Sequence, residues 1–156
     1  MQNGANEYLV TQVMTATPQM LHLMLLEAAL RQCEHARRLW SEAKDDVAGE
    51  SLGKAQEILT ELLASLNYGQ QPELTRRIAS VYSFVFRALV TAQVRRHEPS
   101  LADASRLLEL ERDTWREVVR KTAGSAAVPR VAHAPHAMPA PTRLADQPTS
   151  SMSFEA

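Results

Sequence analysis

The sequence predicts an all-α protein: an antiparallel up-down four-helix bundle with a short N-terminal cap segment and a disordered C-terminal tail. Three observations carry this prediction. Apolar residues recur at three- and four-residue steps over four long stretches, which is the period of an amphipathic helix. The connections between those stretches are short, so consecutive helices must run antiparallel. Leu, Ala, Glu, Arg and Gln abound, while aromatic residues make up only 5% of the chain, a composition that favours helix.

The elements follow in order. Residues 1–16 have little periodicity, and Tyr8, Leu9, Val10 and Val13 give them a small apolar face worth one or two helical turns. The bundle proper spans 17–122. Its first helix is predicted from Pro18 to Lys44. Thr17 is a good N-cap, since its hydroxyl can accept from an unpaired N–H of the first turn. Pro18 then falls at the first helical position, where its missing N–H costs nothing. The stripe of this helix is Leu21, Leu25, Ala28, Ala29, Gln32, Ala36, Leu39 and Ala43, with Asp45, Asp46 and Gly49 marking a connection.

The second helix is predicted from Glu50 to Tyr68 on a stripe of Leu52, Ala55, Ile58 or Leu59, Leu62, Leu63 and Leu66. Gly69 is placed for the left-handed residue that often ends a helix, and Pro72 follows. The third helix is predicted from Pro72 to Arg96. Leu74, Ile78, Val81, Val85, Ala88, Leu89 and Ala92 form one stripe, and Tyr82, Phe86 and Val90 a second beside it. A helix apolar around so much of its girth is central in the core or keeps a face for a partner. The fourth helix is predicted from Leu101 to Lys121, with Ser100 and Asp103 at capping-box spacing and Leu101, Ala104, Leu107, Leu108, Trp115, Val118 and Val119 on its buried side. Residues 123–156 hold five of the eight prolines among Ala, Ser, Thr and His. Such a segment buries too little apolar surface to offset its ordering entropy.

Composition excludes several function classes. The 156 residues carry 17 basic and 18 acidic side chains, a net charge of -1, which argues against nucleic acid as the main partner. No run of about 18 apolar residues predicts membrane insertion. The N-terminus lacks the basic and apolar regions of a secretory signal, and the single Cys33 fits a reducing cytoplasm. A di-metal carboxylate bundle wants Glu-x-x-His on facing helices, and no Glu here has a His three positions later. His133 and His136 are two loosely spaced ligands that do not complete a metal site, and Glu34-His35 and His97-Glu98 read as solvated pairs. There is no Gly-rich phosphate loop, no nucleophile elbow and no catalytic constellation, so neither an enzyme nor a cofactor is expected. Binding is left. Either the surplus apolar residues, including Met20 and Met24, are core, or some line grooves for an amphipathic segment of another chain.

One spacing adds to this. Tyr8-x4-Val13-x-Thr15-Ala16-Thr17-Pro18, followed by Leu21 and Met24-Leu25-Leu26-Glu27-Ala28-Ala29, resembles the flagellar secretion chaperone family, FliS. Looser matches run through Ala55 to Leu66, Leu74 to Tyr82, Leu89 and Trp115, so the resemblance covers residues 5 to 121. The family usually has Leu-Tyr-Asp where this chain has Leu25-Leu26-Glu27, which removes a phenol. The resemblance implies a cytoplasmic export chaperone whose ligand is the disordered C-terminal segment of flagellin, handed on at the flagellar export gate. On that reading Tyr8, Leu9 and Val13 dock into the groove when it is empty. The groove itself draws on Leu25, Leu26, Ile58, Leu62, Tyr82 and Phe86. Thr15, Ala16, Thr17 and Pro18 are assigned to helix start and motif geometry. A homodimer is compatible with the surplus apolar surface. The competing reading is a helical interaction or regulatory module, unrelated to flagella, that binds a partner's amphipathic helix.

Overall fold

The computed structural model describes residues 2–125. They form five helices: α1 (Gln2–Thr15), α2 (Pro18–Ser41), α3 (Asp45–Ala64), α4 (Pro72–Arg95) and α5 (Glu98–Ser125). The last four make the bundle. Each packs on two neighbours, α2 on α3 and α5, and α4 on α3 and α5, so the four close a ring. Polar ties confirm the antiparallel sense. Gln93, near the end of α4, donates to the carbonyl of Gly49, early in α3, at 2.7 Å and accepts from Gln56, in the middle of α3, at 2.9 Å. Arg116, late in α5, meets Glu27, early in α2, at 2.9 Å.

One apolar cluster fills the ring. Leu26, Leu52, Leu59, Leu62, Tyr82, Val85, Leu89 and Leu108 are fully buried in it, each Leu or Val contributing about 1.5–3 kcal/mol of transfer free energy. Six alanines, Ala29, Ala36, Ala48, Ala55, Ala92 and Ala104, are also fully buried and let the helices approach closely.

Several boundaries differ from the sequence reading. α1 runs for 14 residues rather than one or two turns. α2 stops at Ser41, and Ala43, expected on its buried stripe, is exposed with a left-handed φ of 58°. The Thr17 cap is as expected, its hydroxyl accepting from the Met20 N–H at 3.2 Å. α3 begins at Asp45, five residues early, because two aspartates in its first turn complement the positive end of the helix dipole, and Gly49 lies inside the helix. It ends at Ala64, and no glycine among the described residues has a positive φ, so Gly69 is not the left-handed terminator. The Asn67 side chain accepts from the Gly69 N–H instead, at 2.8 Å. α5 starts three residues early. His97 is its cap, Nδ1 accepting from the Ser100 N–H at 3.2 Å, and the Ser100–Asp103 capping box does not form. α5 also continues to Ser125, so the first three residues of the segment expected to be disordered over 123–156 are helical, and 126–156 lie outside the described residues.

Ala43 and Arg96 are the two non-glycine residues with positive φ among the described residues, and they carry different compensation. Arg96 donates to the Trp40 carbonyl at 3.0 Å and pairs with Asp45 at 3.0 Å, tying three helix ends together. Ala43 has no side-chain tie to lose. An Ala43→Gly substitution is therefore expected to stabilise the protein by about 0.5–1 kcal/mol, since glycine adopts this conformation without the Cβ penalty. Arg96→Gly is expected to show no such gain. Urea unfolding of both variants against the wild type checks the contrast.

Candidate functional site

The ring is sealed unevenly. At the end where α2 and α4 begin and α3 stops, the structure opens into a cleft of about 720 Å³. Its apolar surface is Leu21 and Leu25 from α2, Leu66 after α3, Leu74 and Ile78 from α4, and Trp115 from α5. Pro18, the residue that starts α2, stands at its edge, and the α3–α4 connection supplies Asn67, Gln70 and Gln71.

A polar cluster lies at the cleft's inner wall. His22 Nε2 is 2.6 Å from the Tyr82 hydroxyl, and its ring packs 4.0 Å from that of Trp115 at a tilt of 31°. Burial lowers the His22 pKa to about 4, so the imidazole is neutral at neutral pH. Burial, and then the charge of nearby Glu111, push the Tyr82 phenol upward. Burial likewise raises the Glu111 carboxyl. His22 pairs the Tyr82 hydroxyl in the core, where a buried hydroxyl without a partner would cost about 1–3 kcal/mol. The remaining buried titratable group, Cys33, is pushed up to about 11 by its apolar surroundings, far from the range of a reactive thiol.

The residues expected to bind separate into three groups. Leu26, Leu62 and Tyr82 have zero exposure and belong to the core, so their assignment to a surface groove is corrected. Leu25, Ile58 and Phe86 are half-buried against the core, and of these Leu25 lines the cleft. Tyr8, Leu9 and Val13 stand in solvent at 70%, 51% and 46% exposure, on a helix that contributes nothing to the cleft lining. The expected docking of this segment into the groove is therefore not the arrangement seen. α1 touches the bundle near its C-terminal turn, where Gln12, Thr15, Ala16, Thr17 and Met20 border a depression of about 270 Å³ with Val119, Thr122 and Ala123 of α5. The Thr15–Pro18 motif forms the joint between α1 and α2. His22 and Glu111 were not singled out from sequence, and the cleft side chains Leu21 and Ile78 were read as stripe residues facing the core. Glu111 in particular reads as one more charge on an outer helical face.

The sequence model of the family described as "Flagellar protein FliS" matches residues 1–122. The chain belongs to the FliS family. It is 30% identical over 119 residues to the flagellar secretion chaperone FliS of Bacillus subtilis (strain 168), covering 76% of this chain and 88% of that relative. Against the FliS of Escherichia coli (strain K12) it is 29% identical over 106 residues, 67% of this chain and 78% of the relative. Against that of Salmonella typhimurium (strain LT2) it is 31% identical over 111 residues, 70% and 82% respectively. These matches place the FliS-family chain among flagellar secretion chaperones, which are not enzymes. No helix among the described residues is long and apolar enough to cross a membrane.

The neutral His22 makes the stability of the bundle depend on pH. The unfolded chain takes up this proton near the ordinary value of 6.5, the folded chain only near 4. Between those values the unfolded state binds more protons, so folding stability falls as pH drops. The loss attributable to His22 between pH 7 and pH 4.5 is about 2.5 kcal/mol, with no further loss from this group below its folded value. Glu111 acts in the opposite sense, since its raised pKa lets the folded state hold a proton first. The difference between wild type and His22→Gln separates the two. Urea unfolding at both pH values is expected to show the wild type losing about 2 kcal/mol more than the variant.

Proposed function

We propose that this FliS-family chain holds the C-terminal segment of flagellin in the cytoplasm, covers its apolar face so that it does not polymerise early, and presents it to the flagellar export gate. The observation that carries the reading is the cleft at the open end of the bundle. It is concave and apolar, and all four bundle helices and the α3–α4 connection line it, as a site for another chain's apolar side chains must be lined. Family membership supplies the class of partner, an export substrate. Capture of a segment that is disordered when free has to offset an ordering cost of about 2–5 kcal/mol, which favours an extended and largely apolar contact. Release then needs displacement at the export gate and no hydrolysis step.

Titration calorimetry of the full chain with a C-terminal flagellin peptide from the same organism tests this. Binding at micromolar or tighter affinity with a negative heat-capacity change is expected. Leu25→Asp or Ile78→Asp is expected to weaken it at least tenfold, because a carboxylate must then be desolvated inside the contact. Val47→Asp, at the opposite end of α3 on an exposed side chain, is the control and is expected to bind as the wild type does. Absence of binding by folded protein would overturn the reading. Deleting residues 2–14 removes exposed α1 side chains and none of the core, so the melting temperature is expected to stay within a few degrees. Flagellin affinity of that deletion then reports whether Tyr8, Leu9 and Val13 touch the substrate.

A further inference from the structure

The cleft is unusual in what surrounds its apolar floor. Of the fifteen residues that line it, Glu61 alone carries a charge, on a chain in which 22% of residues are charged. His22, the one other titratable group facing it, is held neutral. The remaining polar lining is Gln19, Ser65, Asn67, Gln70, Gln71 and Thr75. Three of these differ from the rest. Thr75 and Asn67 are occupied, the Thr75 hydroxyl lying 2.9 Å from the carbonyls of both Asn67 and Gln71. Ser65 donates to the Leu62 carbonyl at 2.8 Å. The carboxamides of Gln19, Gln70 and Gln71 make no hydrogen bond among the described residues, in contrast to Gln56 and Gln93, which are spent on joining α3 to α4. Each free carboxamide offers two donor hydrogens and an acceptor oxygen, the complement of a peptide group's carbonyl and N–H.

We infer that the cleft selects an uncharged stretch of the export substrate: one apolar side chain seated on Leu25, Ile78 and Trp115, flanked by neutral residues whose main-chain groups are read by the carboxamides of Gln19, Gln70 and Gln71. The inference rests on the reading of the cleft as the substrate site and adds to it the chemistry of the segment bound there. A charged flank brought against this rim loses hydration and meets no partner, apart from a cation beside Glu61, so it is rejected. A stretch locked inside a helix has its N–H and C=O groups already paired and gains nothing from the carboxamides. Selection at this subsite is therefore by neutrality and by available main chain, and ion pairing contributes little, which makes binding there weakly dependent on salt.

Two measurements test this on the full chain. In the first, the flagellin peptide is titrated into variants. Gln70→Ala and Gln71→Ala are expected to weaken binding about three- to tenfold, the loss of one or two neutral hydrogen bonds. Gln70→Glu and Gln71→Glu are expected to weaken it more than tenfold. Ser80→Glu, an exposed position on α4 outside the cleft, is expected to leave it within twofold. Glu variants in the cleft that bind like Ser80→Glu overturn the inference while leaving the function standing. The second measurement needs no flagellin. The blocked peptide acetyl-Ser-Leu-Gln-amide and its counterparts acetyl-Asp-Leu-Asp-amide and acetyl-Lys-Leu-Lys-amide are added to protein labelled with fluorotryptophan, which carries one probe in the cleft at Trp115 and one buried probe at Trp40. The neutral peptide is expected to shift the Trp115 signal at millimolar concentration while Trp40 stays fixed. A shift at least fivefold weaker is expected from the acidic peptide, and a smaller loss from the basic one, whose cation can reach Glu61. Equal response to all three, or none to the neutral one, overturns the inference whatever the flagellin result.

Discussion

Close packing of small side chains sets the shape of this bundle. The six fully buried alanines contribute to all four bundle helices, two in α2, two in α3 and one each in α4 and α5. Wherever they lie, helix axes can come together and the apolar cluster is sealed. The cleft lining contains no alanine. Its apolar members are Leu21, Leu25, Leu66, Leu74, Ile78 and Trp115, and side chains of that size hold the helix ends apart. Alanines thus mark the closed part of the ring, and none lines the open end. The open end keeps apolar surface in contact with water, which lowers stability there relative to a filled core and leaves that surface for another chain to cover.

The His22–Tyr82 pair sits where those two regimes meet. Tyr82 is the largest fully buried side chain, and its hydroxyl must be paired in a medium of low dielectric. His22 does this from α2, while its other face stacks on Trp115 from α5. Three helices are thereby registered at one point directly behind the cleft. The same burial that keeps His22 neutral removes a charge that this wall would otherwise present to a ligand. Structural and binding requirements coincide in one imidazole.

The four bundle helices, their order and their antiparallel sense were legible in the sequence because they depend on periodicity and on short connections, and α4 falls within one residue of its predicted span. What failed was local. Ala43 in a left-handed conformation leaves no compositional mark, and Gly49 and Gly69 leave marks that the fold does not use. The site was harder still. Leu25 and Leu26 are adjacent and chemically alike, yet a 100° rotation puts Leu26 in the core and Leu25 in the cleft. The phase of a wide apolar stripe relative to the bundle axis is set by all four helices together, so no single helix states it. Ile78 was placed on a core stripe and Tyr82 on a binding one, and the structure exchanges their roles for the same reason. Glu111 was invisible because a carboxylate on a helix is ordinarily solvated.

The rim of the cleft is built before any ligand arrives. The Thr75 hydroxyl, at 2.9 Å from the Asn67 and Gln71 carbonyls, folds the α3–α4 connection back onto the first turn of α4. Asn67 fixes the next turn through the Gly69 N–H. A loop held in this way has little conformational freedom left to lose, and loop ordering is among the larger costs of association. On the proposed function, a partner segment without structure of its own bears the ordering cost instead. That division suits a chaperone that must let go. On that same proposal, affinity comes from a preformed surface meeting a flexible chain, so a competing surface can peel that chain away residue by residue.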